Sequence, residues 1–394
     1  MSETVTTPYL DMSRAIMEAG GEALKKCYQC GTCTGTCPWT PITDFNIRKL
    51  IRFGQLGLDG IEDFMWGCST CKFCVDRCPR GVEIIDVVTA IRNVYSGGGM
   101  LPHSLRTFVG SMSARGNPWS GDQSKRNDWA KGQYPVFSGD KEYLYWTCCT
   151  VCYDPRNTNL ARATSTILNH AGISWGLPPA DVNCCGESLK KVGDLELFTR
   201  LKEKNLKFFK ENDVKKIIVV SPHCMYTFKK EYGEDYEVIH FTELLADLIQ
   251  TGKLTPTRNL GGVKVTYHDP CYLGRHGLSY DAPRAVLQSI PGLELVEMGR
   301  NREQSMCCGG GGGGLWMEKL KGERLSDLRL EEAWSTGASI LATACPYCIT
   351  MFEDSVRTLN ADNIIKIKDV SELFLEGLGL TIEDQPQVDV CAVR

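Results

Sequence analysis

With 394 residues, 42% of them hydrophobic and 23% charged, the chain is long enough for roughly two or three ordinary globular domains. A net charge of −4 argues against a nucleic-acid partner, and no apolar run approaches the roughly 20 residues that a membrane-spanning helix needs. Twenty cysteines in a chain of this length, behind a polar N-terminus unlike a signal peptide, argue against a disulfide scaffold, and the expected location is the cytoplasm.

Residues 10–26 read as a helix with Leu10, Ile16, Met17 and Leu24 on one apolar stripe. Then Cys27-x2-Cys30-x2-Cys33-x3-Cys37-Pro38 is followed by Cys68-x2-Cys71-x2-Cys74-x3-Cys78-Pro79, the bacterial two-cluster ferredoxin spacing with no ligand missing. Zinc sites also use Cys-x2-Cys, but not eight cysteines in this order with both prolines. Three cysteines of each loop wrap one cubane [4Fe–4S] cluster, and the proline directs the fourth to the other. The ligand sets are therefore expected to be Cys27, Cys30, Cys33 and Cys78 for one cluster and Cys68, Cys71, Cys74 and Cys37 for the second. A short helix over 46–56 separates the loops, and another is expected from about Val82 to Tyr95, ended by Gly97-Gly98-Gly99. Residues 101–141, rich in glycine and proline, read as a connector, either a surface linker or an ordered loop that packs the two parts together.

The remainder repeats after 122 to 124 residues. Cys149 matches Cys271, Cys184-Cys185 matches Cys307-Cys308, and Ser221-Pro222-His223-Cys224 matches Cys345-Pro346-Tyr347-Cys348. Strand-like runs precede the first and last motifs of each copy: 143–146 and 217–220 in one, 263–267 and 339–341 in the other. Amphipathic helices are expected over 195–209 and 319–333, and each copy closes on a strand and a helix, 238–239 into 242–245 and 365–367 into 371–374. Strands alternating with helices predict a parallel α/β sheet in each copy, with the cysteines at the strand ends along one sheet edge. The expected architecture is α+β multidomain. A helical two-[4Fe–4S] ferredoxin-like domain (1–100) and the connector (101–141) precede two repeated α/β domains (142–255 and 256–394).

In these motifs the chain resembles a known family. The second copy, Cys-x35-Cys-Cys-Gly-x35-Cys-x2-Cys, is similar to the cysteine-rich CCG domain of heterodisulfide reductase. The whole layout is similar to that enzyme's D subunit and to the K subunit of the membrane complex linked to dissimilatory sulfite reduction, which the loss at Ser221 favours. Segments 27–35, 153–156, 184–187, 268–275 and 307–312 look like family signatures. The resemblance implies a noncubane [4Fe–4S] cluster on Cys271, Cys307, Cys308, Cys345 and Cys348, and reduction of a disulfide or trisulfide there. In the first copy Cys149, Cys184, Cys185 and Cys224 match, but Ser221 replaces a cysteine, which implies an altered cluster or none; Cys152 is the nearby candidate to substitute. It further implies a haem-b membrane subunit or a flavoprotein as electron donor, peripheral attachment to the cytoplasmic membrane through that partner, and a substrate that is small or borne on a sulfur-carrier protein. The competing reading is a pure electron relay to a quinone-linked system, as in the similar iron–sulfur subunits of glycerol-3-phosphate and glycolate dehydrogenases.

The glycine run 309–314 lets backbone approach a cluster closely and offers it N–H groups. No dinucleotide fingerprint follows a strand and opens a helix, so flavin or nicotinamide chemistry is left to a partner. His223, His268 and His276 are candidate proton donors, each more often structural. Trp146 and Trp316 are expected to pack beside the clusters, and Cys148 and Cys391 read as spare thiols.

Overall fold

A computed structural model describes residues 7–62, 64–320 and 322–382; Cys391 lies outside them. The segment read as one helix over 10–26 is three pieces: an α-helix Leu10–Ile16, a wide π turn Met17–Gly21 and a 3-10 turn Glu22–Lys26. Gly20 adopts a φ of 101°, which breaks the helix there, and the kink brings Gly21 so close to the Ile16 carbonyl oxygen that a β-carbon would lie 2.7 Å from it. The helix Ile47–Leu56 begins where the Asn46 side chain accepts from the Lys49 N–H (3.0 Å) and ends at Gly57 in the left-handed region. The third N-terminal helix, Ile84–Gly97, buries most of its face against the first two pieces.

The connector is more ordered than its composition suggests. It carries an α-helix, His103–Arg115, stopped by Gly116 at a φ of 64°. Phe108 of this helix stacks on Trp316 (centroids 5.4 Å apart), and the chain then runs on to place Arg126 in the interior of the first repeat.

Each repeat is a four-stranded parallel sheet. The strands are β1 (Tyr143–Trp146), β2 (Trp175–Gly176), β3 (Lys216–Val219), β4 (Glu237–His240), β5 (Val263–Tyr267), β6 (Leu293–Val296), β7 (Ile340–Thr343) and β8 (Lys366–Asp369). The orders are β2-β1-β3-β4 and β6-β5-β7-β8, the same topology twice. Central strands β1, β3 and β7 are almost wholly buried, as expected of parallel sheets covered by helices on both faces. His240 and Asp369 open the last helices of the two repeats with the same capping box, closed by Glu243 and Glu372. The helix expected over 319–333 starts only at Leu325, because Gly322, at a φ of 88°, turns the chain first.

The repeats pack reciprocally. Helix Thr158–His170 of the first lies on Val370–Gly377 of the second, and Phe241–Gln250 of the first lies on Asp281–Gln288 of the second. These are equivalent helices exchanged, so the contact has the form of an isologous dimer interface within one chain. Arg156 ties it with ion pairs to Glu353 (2.7 Å) and Glu372 (2.8 Å).

Candidate iron–sulfur sites

All nineteen described cysteines are free of disulfides. Cys27, Cys30, Cys33 and Cys78 line one cavity with Ile51, Val82 and Ile84, and Cys37, Cys68, Cys71 and Cys74 line another with Trp39, Phe45 and Ile85. Each expected ligand set thus surrounds its own apolar hollow. Gln29, Thr70 and Lys72 take left-handed φ values of 67°, 51° and 68°, a strained backbone that curls both loops around their cavities. Peptide N–H groups point at the sulfurs: Thr70 to Cys68 (3.4 Å) and Val82 to Cys78 (3.4 Å). Soft thiols, inward N–H donors and an apolar hollow are what a [4Fe–4S] cluster requires. The first set is the outer one, with Cys30 exposed; in the second, Cys37, Cys68 and Cys74 are buried.

The five cysteines of the second repeat are all buried: Cys271 follows β5, Cys307 and Cys308 lie in the long loop after β6, and Cys345 and Cys348 follow β7. Cys271 Sγ lies 4.0 Å from Cys307 Sγ, and the Cys348 thiol donates to Cys308 Sγ at 3.4 Å. The Gly309 N–H donates to Cys307 Sγ (3.3 Å), so the start of the glycine run does supply a donor. This set abuts the inner cubane loop. The Cys307 thiol lies beside Cys71 and 3.6 Å from Ser69 Oγ. Gly311 and Gly312 press against the same loop, where added β-carbons would meet the Ser69 and Cys68 carbonyl oxygens at 2.4 and 2.3 Å.

Charged side chains that sequence reasoning passed over hold this junction. Arg92 is fully buried and donates to the carbonyls of Met65 (3.0 Å), Cys68 (2.8 Å), Lys191 (2.9 Å) and Gly312 (2.8 Å), joining all three domains. Arg275 donates to the carbonyls of Cys71 and Ser305, both at 2.7 Å. His276 Nε2–H donates to the Thr70 carbonyl (2.9 Å), and burial holds its pKa down to about 3, which makes it a neutral strut. Arg329 donates to His268 Nδ1 (3.2 Å), which leaves the ring proton on Nε2; burial, then Arg329, keeps this ring neutral too. His268 offers a ligand atom that lies with the Cys308 and Cys348 sulfurs, all within 4.8 Å of one another.

His223 differs from the other two. It is buried between the rings of Tyr272 (4.0 Å) and Tyr347 (4.4 Å), with Nδ1 3.1 Å from Glu187 Oε2. Burial opposes its charge, but Glu187 and Cys345 outweigh this and raise its pKa well above the ordinary value. This imidazole–carboxylate pair sits where the two repeats meet, with Tyr272 and Tyr347 of the second repeat on the faces of the ring. Removing one partner of a buried pair strands the other, so His223→Gln is expected to destabilise the protein by about 3–5 kcal/mol. The double variant with Glu187→Gln should recover most of this; thermal unfolding of the three variants measures it, and equal losses in single and double variants would refute the pairing.

In the first repeat Cys149, Cys184, Cys185 and Cys224 converge in the same way, linked Cys149 to Cys184, Cys184 to Cys185 and Cys185 to Cys224. Cys152 is turned aside, its thiol donating to Thr147 Oγ1 at 3.3 Å. Cys148, read from sequence as spare, bonds to Cys224 instead. Arg126 Nη1 donates to Cys149 Sγ at 3.3 Å; a lone arginine in a glycine-rich connector carries no sequence signal of this. Trp146 packs edge-on against Phe209 and Phe228 within this repeat's core.

A cleft opens beside the second set, lined by Trp119, Trp316 and Met351 and by basic (Arg156, Lys319, Arg324, Arg357) and acidic (Asp154, Glu318, Glu353, Asp354) side chains in equal number. A β-carbon on Gly310 would meet Met351 Cγ at 3.1 Å and Cys308 Sγ at 3.7 Å, and Met351 also lines the cleft. No helix among the described residues is long and apolar enough to cross a membrane.

The family model for the cysteine-rich CCG domain matches residues 143–229 and 265–353, and the 4Fe-4S dicluster domain matches 23–82. A probable iron-sulfur-binding oxidoreductase of Bacillus subtilis is 38% identical over 80% of this chain and 47% of its own length. An EtfAB:quinone oxidoreductase of Syntrophomonas wolfei is 35% identical over 80% of this chain and 47% of its length. The chain thus spans about half the length of these two relatives. The D subunit of the dihydromethanophenazine:CoB–CoM heterodisulfide reductase of Methanosarcina barkeri is 33% identical over 91% of this chain and 95% of its length. An N-terminal dicluster domain followed by two parallel-sheet CCG domains, matched over nearly the full length of that relative, places the chain in the family of iron–sulfur oxidoreductases that includes the heterodisulfide reductase D subunits.

Proposed function

We propose that this chain is the catalytic iron–sulfur subunit of a complex, passing electrons through two cubane sites to the second repeat, where a disulfide or trisulfide is reduced. The observation that carries this reading is the contact of Cys307 with Cys71 and Ser69, which puts the five-cysteine set against the inner cubane loop. Electrons enter at the outer set, where Cys30 is exposed and Tyr28 is 58% exposed, and move inward to Cys37, Cys68, Cys71 and Cys74. When bound at Cys271, Cys307, Cys308, Cys345 and Cys348, a noncubane cluster supplies iron soft enough to take sulfur while two electrons arrive singly. The chain's own residues do the rest. Arg92 and Arg275 lock the two sites together, and the Gly309 N–H stabilises charge on sulfur. The cleft, lined by basic and acidic side chains in equal number, is the proposed entry for the substrate or a small sulfur-carrier protein, and the His223–Glu187 pair lies where the two repeats meet. Reduction of the disulfide consumes two electrons and two protons and releases two thiols. A haem-b membrane subunit or a flavoprotein is the proposed donor, and it would hold the chain at the membrane surface.

The second reading is a relay without disulfide chemistry, favoured by similarity to a quinone oxidoreductase. Adding a thiol to anaerobically oxidised protein separates the two. The disulfide reading expects a new paramagnetic signal that broadens with ⁵⁷Fe; a relay expects none.

A further inference from the structure

In sequence the first repeat is one thiolate short, because Ser221 stands where the second repeat has Cys345. Strand register shows where the thiol went. β1 and β3 are paired with Trp146 opposite Val219, so two residues beyond, Cys148 and Ser221 leave the sheet side by side. In the second repeat Tyr267 lies opposite Ala342, which sets Pro270 beside Cys345 at the equivalent level. Neighbouring strands are about 4.8 Å apart, a distance a cysteine side chain largely spans. Each lateral pair therefore carries one thiol: Pro270 with Cys345, and Cys148 with Ser221.

Three further observations agree. Cys148 is buried beside Cys224 and Ser221 and receives the Thr150 N–H. Ser221 Oγ is fully buried and has no hydrogen-bond partner of normal geometry, an orphan that faces the thiols. Arg126 is buried, 3.3 Å from Cys149, and among the described residues it forms no ion pair with a carboxylate. Among these residues its only other hydrogen bond goes to the Thr147 carbonyl, at 2.6 Å, so a thiolate at Cys149 would give this buried guanidinium an opposite charge.

We propose that Cys148 replaces the missing thiolate, so that Cys148, Cys149, Cys184, Cys185 and Cys224 form a complete five-cysteine site for a further iron–sulfur cluster. The proposal is independent of disulfide chemistry at the second repeat, whose failure would leave iron content unchanged.

The test is iron content and ⁵⁷Fe Mössbauer spectroscopy of the full chain purified anaerobically. The parental protein should hold about sixteen irons, from two cubanes and two noncubane clusters. Cys148→Ser should fall to about twelve, and Cys152→Ser should stay at the parental value. The double variant Cys148→Ser/Ser221→Cys should regain the lost irons, because the thiol moves back across the strand pair. A parental content of about twelve that Cys148→Ser leaves unchanged overturns the proposal. So does Cys148→Ser at parental iron, an equal loss in Cys152→Ser, or a double variant that recovers nothing. Should Cys148→Ser alone fail to fold, the parental content and the double variant still decide.

Discussion

Cys308→Ser is expected to lower disulfide turnover by more than about 100-fold while the cubane sites still accept electrons from an artificial donor. The choice between adjacent cysteines matters. Cys307 reaches Cys71 and Ser69, so changing it would disturb the inner cubane loop as well. Cys308 instead accepts from the Cys348 thiol at 3.4 Å and, among the described residues, hydrogen-bonds to neither Cys71 nor Ser69 of the inner loop. Serine keeps the volume and removes the soft donor, so the surrounding packing survives. Bleaching of the cubane absorption under a low-potential donor, followed beside disulfide consumption, measures both halves of the expectation. Parental turnover would remove the second repeat as the catalytic centre. Loss of cubane reduction would mean that the sites cannot be separated.

Arg92→Met is expected to cost about 4 kcal/mol or more, because four buried carbonyls in three domains lose a charged donor at once. For 394 residues unfolding as one unit the corresponding drop in thermal midpoint is roughly 5 °C. Electron passage from cubanes to the second repeat should slow as well, since Arg92 is the residue that pins Gly312 to the Cys68 carbonyl side of the inner loop. Stopped-flow reduction of the second site, triggered through the cubanes, reads this separately from stability. A variant that melts as the parent does would show that water replaces the guanidinium without cost.

Several elements were legible because their signal is local. The loops 27–37 and 68–78 were readable because cluster ligation imposes fixed spacing, and β1, β3, β5 and β7 because buried parallel strands are short apolar runs. The two-residue β2 is too short for any periodicity to register, and the helix His103–Arg115 is hidden by a weakly patterned sequence between glycines and prolines. The helix expected over 10–26 failed at Gly20-Gly21, where the positive φ of Gly20 breaks it despite the apolar stripe.

By itself, the sequence determined the chemistry: which thiols exist, their spacing within each loop, the internal duplication, and thus the family and its parallel-sheet repeats. Those properties follow from short-range geometry along the chain. What only the tertiary structure decided is adjacency across distant segments. Arg92, Arg126 and Glu187 acquire their roles from burial against groups far away in sequence, and no local pattern announces a buried charge. The inner cubane loop meets Cys307 because Gly311 and Gly312 allow backbones to touch. Cys148 and Ser221, 73 residues apart, become neighbours only through the register of β1 on β3, since pairing in a sheet is set by packing of whole strands rather than by either residue.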